Sequence, residues 1–502
     1  MRRRAAWLTG WLALFLFVSR TIAGDCEFRI SFSKAVRSEP YSGRVYLFFG
    51  KNPKTEPRQG PDWFHPEPFV ALDVKNWKAG EPLVMGTSSG ARMLAFPKPL
   101  AEIDLSGHRV QAVARFNPYE RRVGTGPGNG YSVVADVAAA AEKSQPQELL
   151  IDKIGSERPF PENRWFKLVQ VRSRLLSDFH QRDVSLRGSV LLPAGYYDRP
   201  ERRYPVIFEI PGFGGTHVYR VPQEPIPEEN EGGVEFLRVT LDPSCPLGHH
   251  VFADSANNGP VGKALVTELL PELDRQFRTV AASTARFLTG HSSGGWSSLW
   301  LQVNYPDTFG GTWSTSPDPV DFRDFQRINL YRPGENMYRD GAGNRRPLAR
   351  FGDKVALWFD DFDRMEEVLG FGGQLHSFEA VFSPRAADGR PMRVWNRNTG
   401  AVDTEAAMSW TKFDIRLILE RRWPELAPKL AGKLHVFQGE LDTFYLDGAT
   451  RLLKESLAAL KSDAIVEIIP GKSHFDLLTA DLHLRMRGEM VKSFLVHHSG
   501  DN

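Results

Sequence analysis

From about Trp165 onward the sequence predicts an α/β unit, a parallel sheet covered by helices on both faces. Two observations carry this. Near-continuous apolar runs of strand length, Tyr204 to Ile210 and Phe236 to Leu241, suit strands buried on both sides. They alternate with helical periods such as Gly262 to Phe277, where Leu265, Leu269, Leu273 and Phe277 recur every four residues. A third observation sets the preceding stretch apart. It contains short strand-like runs separated by turns, the pattern of a small all-β unit.

The elements follow in order. Arg2, Arg3 and Arg4, the apolar run Ala5 to Val18 and the small-residue end Thr21-Ile22-Ala23 read as an export signal over residues 1–23, and as too short a run for a membrane span. Residues 24–140 are expected to form a β-sandwich, with Gly43 to Phe49 as one strand. In another, Val110, Ala112 and Ala114 line one face, and Gln111, Val113 and Arg115 the other. Trp63, Phe64, Phe69 and Trp77 are core residues in the ordinary case, or else a platform for sugar rings. Residues 141–164, Pro-bearing and polar, read as a linker, and 165–502 as the α/β domain. Within it Arg286 to Thr289, Leu434 to Phe437 and Ala464 to Ile469 are predicted strands. Residues 320–425 break the rhythm and read as an insertion over the carboxyl edge of the sheet. Its acidic residues, Asp360, Asp361, Asp363, Glu366 and Glu367, do not have the spacing of a calcium loop and read as a solvated surface.

Composition narrows the function. A chain of 502 residues needs more than one core. The formal charge is +2. Residues 1–23 hold Arg2, Arg3, Arg4 and Arg20 and no carboxylate, so the charge without them is −2. Neither value, nor any charge run, suggests a nucleic-acid partner. The two cysteines, Cys26 and Cys245, have no metal-type spacing. In an oxidising compartment they are candidates for one disulfide, and two free thiols are the alternative.

The chemistry centres on Gly290-His291-Ser292-Ser293-Gly294, directly after a strand and before a helix. A serine at such a turn is held in strained backbone geometry, and its glycine neighbours keep side chains off the adjoining strand and helix. Ser292 is the predicted nucleophile. Ser293 is the other serine but is out of frame with the glycines. A serine hydroxyl needs a base, and the base needs an orienting carboxylate. In this architecture they follow in the order acid, then histidine. His474 sits in the loop after Ala464 to Ile469, where the base belongs. Other downstream histidines include His376, His483, His497 and His498. Asp442 follows Leu434 to Phe437 and is the predicted acid, with Glu440 the alternative. The oxyanion donors are expected from the backbone N–H of Ser293 and of Phe213, in the loop Pro211 to Gly215. Asp254 to Pro260 either borders the pocket or is turn and helix-start chemistry.

These motifs carry a resemblance. Tyr204 to Gly215, Asp254 to Pro260, Gly290 to Gly295 and Gly471 to His474 resemble the putative-esterase family that includes esterase D and enterochelin esterase. The similarity covers about residues 165–320 and 430–495. It implies an α/β-hydrolase fold, ester substrates and a triad of Ser292, Asp442 and His474. Pro211 stands where many members have His, and Ser293 where many have Met. Neither change removes a backbone donor. Several relatives carry an N-terminal β-sandwich.

The expectation is therefore a secreted or periplasmic serine esterase that needs no metal or cofactor. Its substrate would be a small-molecule or polysaccharide-linked ester. A serine peptidase of the same fold and a non-catalytic binding protein on a hydrolase scaffold are the competing classes.

Overall fold

A computed structural model describes residues 27–138, 146–226 and 233–498. The expected export signal and Cys26 lie outside the described residues. Cys245 is half-buried, desolvation pushes its thiol up to about 12, and it donates to Asn258 Oδ1 at 3.5 Å. No helix among the described residues is long and apolar enough to cross a membrane.

The central sheet has eight strands, numbered here along the chain: β1 Phe166–Arg172, β2 Ser185–Leu191, β3 Val206–Ile210, β4 Leu237–Leu241, β5 Arg286–His291, β6 Gly311–Thr315, β7 Leu434–Gly439 and β8 Ile465–Ile469. Their spatial order is β1-β2-β4-β3-β5-β6-β7-β8. β2 runs antiparallel to both β1 and β4, and from β4 to β8 every pair is parallel. This is the α/β-hydrolase arrangement. β3, β6 and β7 are almost wholly buried because helices cover both faces, and β3 reads as a continuous apolar run for that reason, whereas β4 alternates buried with half-buried residues.

The strand order places the site. The chain reverses direction across the sheet at β3, which pairs with β4 on one side and β5 on the other. Loops leaving the carboxyl ends of strands at such a switch point diverge and open a crevice. Ile210 lies opposite Gly290, so the β3 loop and the β5 loop leave the sheet side by side. Gly439 likewise lies opposite Ile469, which brings together the loops after β7 and β8.

The helix predicted at Gly262–Phe277 is present from Val261 to Gln276 but passes through a π turn at Leu265–Leu269. Leu265, Leu269 and Leu273 all point into the core. The stretch 320–425 falls between β6 and β7. It supplies a hairpin, Pro347–Phe351 with Lys354–Trp358, and four α-helices, Phe359–Leu369, Gln374–Phe382, Thr404–Ser409 and Ile415–Leu430. Its acidic residues are ion-paired or hydrogen-bonded rather than clustered around a vacant centre. Asp360 and Asp361 bind Arg345, and Arg397 joins Asp363, Glu367 and Glu379. Among the described residues no group of three His, Cys, Asp or Glu is placed to hold a metal ion.

In the N-terminal unit, nine described strands join in one sheet. Tyr41–Gly50 pairs with Phe69–Trp77 on one side and Arg109–Ala114 on the other. Gln147–Ile154, inside the stretch expected as a linker, is a strand of this sheet and pairs in parallel with Glu27–Phe32. Its Leu149 and Ile151 point into the unit's own core with Val45, Leu47, Val110 and Ala112. On the strands Tyr41–Gly50, Phe69–Trp77 and Arg109–Ala114 the opposite face is covered by the α/β domain. Tyr46, Phe48, Phe69 and Val113 pack in the same cluster as the helices of the α/β domain. The contact also has a polar register. Arg44 donates to the carbonyls of Glu367 and Val368, Tyr46 to Leu369 at 2.6 Å, and Arg115 to Phe371 at 2.9 Å. These carbonyls lie at and just beyond the carboxyl end of Phe359–Leu369, where a helix has unpaired acceptors and favours cations. The N-terminal unit is thereby fixed against the insertion, and one of its loops reaches the site.

Candidate active site

Between β5 and the helix Ser293–Asn304, Ser292 has φ 59° and ψ −126°. A positive φ at a residue with a Cβ costs on the order of 1–3 kcal/mol and persists only where neighbours over-determine it. Here they do. The Ser292 N–H donates to Thr315 O at 3.0 Å, and its carbonyl accepts from Trp296 N–H at 3.0 Å and Asp318 N–H at 3.3 Å. The glycines are sterically required. A Cβ at Gly290 would sit 2.2 Å from Gly294 O, and one at Gly294 only 1.8 Å from Ile210 O.

The β3 loop lies against this turn: a Cβ on Gly212 would come 3.3 Å from Ser292 Cβ. Phe213 N–H donates to no described group. Ser293 opens its helix, so its N–H has no intrahelical acceptor. The loop is held from two sides. His249 Nδ1 accepts from Val251 N–H at 3.0 Å, which fixes the tautomer with the proton on Nε2, and Nε2–H donates to Pro211 O at 2.9 Å. Burial lowers the His249 pKa to about 3, so the ring stays neutral. From the N-terminal unit, Arg121 donates to Gly214 O at 2.8 Å, and Trp63 stacks on Phe213 with ring centroids 5.6 Å apart.

Across the cavity, His474 Nδ1–H donates to Asp442 Oδ2 at 2.9 Å. Asp442 is fully buried and His474 nearly so. Burial alone would raise the Asp442 pKa. The charge and hydrogen bond of His474, with the N–H groups of Phe444 (2.8 Å) and Leu446 (3.4 Å), outweigh it and hold the carboxyl below its usual range. Gln438 Nε2 also donates to Asp442 Oδ2, at 2.9 Å. The two loops are tied together where Leu441 N–H meets Lys472 O at 2.8 Å. The His291 ring lies 4.5 Å from that of His474, and burial, then His474, lower its pKa to about 3.

Ser292, His474, Phe213 and His291 line one cavity of about 500 Å³. Its walls come from three parts of the chain: Trp63 and Phe64 from the N-terminal unit, Phe362 and Phe378 from the insertion, and Phe444 and Phe475 from the loops after β7 and β8. Trp63 and Phe64 are thus cavity residues, whereas Phe69 and Trp77 are core. The other candidates lie elsewhere. Ser293 Oγ donates to Asp318 Oδ2 at 2.5 Å. Glu440 accepts from Gly471 N–H. His376 pairs with Glu367, His483 with Thr479 O and His498 with Thr284, and His497 is exposed at the end of the terminal helix. Asp254 accepts from Lys263 N–H and Tyr305 Oη, so Asp254–Pro260 starts a helix rather than bordering the cavity. Asp318, Gln374, His249 and Arg121 carry no motif and are visible only in three dimensions.

Residues 248–379 match the family profile described as Putative esterase. No curated protein matches the sequence. Among solved structures, a ferulic acid esterase aligns at 13% identity and a TM-score of 0.40, over 66% of this chain and 100% of its own. An S-formylglutathione hydrolase from Agrobacterium tumefaciens aligns at 14% and 0.39, over 65% and 95%. A dipeptidyl peptidase 4 from Porphyromonas gingivalis aligns at 11% and 0.37, over 85% and 46%. The matched stretch 248–379 contains the Ser292 turn and part of the cavity wall, and its match to the Putative esterase model marks the enzyme class as carboxylic-ester hydrolase.

Proposed function

We propose that the chain is a secreted or periplasmic serine esterase acting through an acyl-enzyme, with Ser292 as nucleophile, His474 as base and Asp442 as the orienting acid. The observation that carries this reading is the buried Asp442–His474 hydrogen bond in the wall of the cavity that also holds the strained Ser292. With its Nδ1–H donated in a hydrogen bond to the ionised Asp442, His474 turns an unprotonated Nε2 toward Ser292. Nε2 takes the Ser292 proton as Oγ attacks the ester carbonyl. The oxyanion is met by the N–H groups of Phe213 and Ser293. His474 returns the proton to the leaving alcohol, then deprotonates the water that releases the acid. Every step uses protein groups and water, and no cofactor is invoked. The basic, apolar and small-residue order of residues 1–23 supports export. The N-terminal unit is read as a β-sandwich domain, part of whose outer face packs on the α/β domain.

The test is turnover of short p-nitrophenyl esters with labelling by a serine-directed fluorophosphonate. Ser292→Ala is expected to lose labelling and to lower kcat by roughly 10⁴-fold or more. A Ser292→Ala variant that still labels and turns over moves the nucleophile elsewhere. Cleavage of a peptide anilide in preference to esters would assign the same triad to a peptidase.

A further inference from the structure

The cavity is aromatic on most of its wall but has a polar pole. Asp318 is 5% exposed, yet it lines the cavity beside Ser292. Its Oδ2 accepts from Ser293 Oγ at 2.5 Å and, at the long distance of 3.5 Å, from Gln374 Nε2. No described group donates to its other oxygen. Gln326, 7% exposed, also lines the cavity. Its Nε2 donates to Phe444 O at 3.1 Å, which turns Oε1 the other way, and Oε1 has no partner. Gln374 repeats the pattern: Nε2 faces Ser293 Oγ and Asp318, and Oε1 is unpartnered. The Oε1 atoms of both glutamines are themselves shut off from the open space of the cavity, so the acceptor among these three residues that a bound molecule reaches is the second oxygen of Asp318. No lysine or arginine is among the cavity's lining residues, which include a second carboxylate, Asp62.

A buried acceptor without a donor is costly, and a carboxylate in an aromatic enclosure repels anions while favouring donors and cations. We propose that Asp318, whose other oxygen is held by Ser293 and Gln374, binds a hydrogen-bond-donating group on the substrate, a hydroxyl or a protonated amine. The preferred esters then have an apolar body bearing such a donor, and esters bearing a carboxylate or phosphate at that place are rejected. The aromatic walls take the body, and the acceptor pole reads its polar substituent. This deepens the esterase reading and rests on it for the identity of the cavity as the substrate site.

The test uses aryl propanoate methyl esters that differ only in one ring substituent, placed meta or para: hydroxyl, aminomethyl, methoxy or carboxylate. Dissociation constants are measured by calorimetry in Ser292→Ala, where turnover does not interfere. The hydroxyl or aminomethyl ester is expected to bind about tenfold or more tighter than the methoxy ester, and the carboxylate ester weakest. The two donor arms separate a neutral hydroxyl from a cation. In Ser292→Ala/Asp318→Asn the ratio of donor to methoxy affinity should collapse toward one. Because it is a ratio within one preparation, a partly folded variant does not distort it. Equal binding of donor and methoxy esters, or a preference that survives Asp318→Asn, overturns the proposal. Turnover of the same panel by the wild-type chain tells the two readings apart. Ester binding with the expected preference but no Ser292-dependent turnover defeats the esterase reading alone, and turnover without the preference defeats this one alone.

Discussion

Replacing Asp442 by Asn tests the triad at its most buried point. Both carboxylate oxygens of Asp442 act only as acceptors: Oδ2 takes His474 Nδ1–H and Gln438 Nε2, and Oδ1 takes the N–H groups of Phe444 and Leu446. An asparagine must place its NH₂ on one side or the other. On the Oδ1 side it would face two backbone N–H groups fixed by the chain. On the Oδ2 side it would face the Gln438 amide and force His474 to accept on Nδ1, which puts the ring proton on Nε2 and abolishes the base. The second arrangement has more freedom to relax, because imidazole can change tautomer and a backbone amide cannot. The expected loss in kcat is then about 10⁴-fold, or about 5 kcal/mol at 1.36 kcal/mol per decade. Stability should fall by only about 1–3 kcal/mol for the mismatched buried amide. The assay is p-nitrophenyl ester hydrolysis beside a denaturant melt, with Glu440→Gln as the control. Glu440 braces Gly471 at the surface, and its variant should stay within about tenfold of wild type. An Asp442→Asn enzyme within tenfold of wild type, or a Glu440→Gln enzyme as impaired as Asp442→Asn, would refute the reasoning.

Other perturbations probe the scaffold. His249→Ala removes the donor to Pro211 O and should lower kcat by about tenfold with little change in KM, with His249→Gln restoring part of it; a change in KM alone would assign the residue to binding. Gly294→Ala drives a Cβ to within 1.8 Å of Ile210 O and should cost about 3 kcal/mol or prevent folding, read as soluble yield and melting temperature; a wild-type melt would refute the tight turn. Buried neutral histidines make the fold acid-sensitive: the His250 pKa is lowered by burial to about 4 from 6.5, so the unfolded chain binds its proton first and stability falls as pH drops from 6.5 toward 4. Asp318, raised to about 6 by burial, works in the opposite direction, so the difference between proteins is the useful quantity. His250→Asn, which can still accept from Phe252 N–H, should lose about 1–2 kcal/mol less than wild type between pH 7 and pH 5 in denaturant melts, and an unchanged pH dependence would refute it.

What could be read from the sequence was whatever local sterics impose. The Gly290–Gly294 turn is legible because an added methyl at either glycine collides with backbone, so few sequences can make it. β3 and β7 are legible because burial on both faces leaves no polar alternation. Gln147–Ile154 was hidden for the opposite reason. It has two inward apolar residues among exposed ones of mixed character, Leu150 and Ile154 included, and its partner Glu27–Phe32 is more than a hundred residues away, so nothing local distinguishes it from a linker. The alternation of Val110, Ala112 and Ala114 with Gln111, Val113 and Arg115 revealed two faces but not what the second one meets. Arg115 has the composition of a solvent residue, and it is instead bonded to Phe371 O. Asp318 follows a strand with no motif around it, and only the packing of Gln374 and Ser293 against it reveals a pocket group.

The N-terminal unit matters to the chemistry for the same reason it was hard to read. An all-β unit joined by a loose connection would be a separate module. Here Arg44, Tyr46 and Arg115 bind carbonyls at and just beyond the end of Phe359–Leu369, and Phe362 of that helix faces Trp63 edge-on at 5.0 Å. Trp63 in turn stacks on Phe213, whose N–H is the proposed oxyanion donor, and Arg121 holds the next residue, Gly214. The interface and the oxyanion loop are therefore one continuous set of contacts. Any change that loosens the interface should move the oxyanion donor as well as the cavity wall. Loss of the N-terminal unit would then lower kcat on even the smallest ester, one too short to touch Trp63 or Phe64, whereas a unit that only recruits bulky substrate would leave that rate intact.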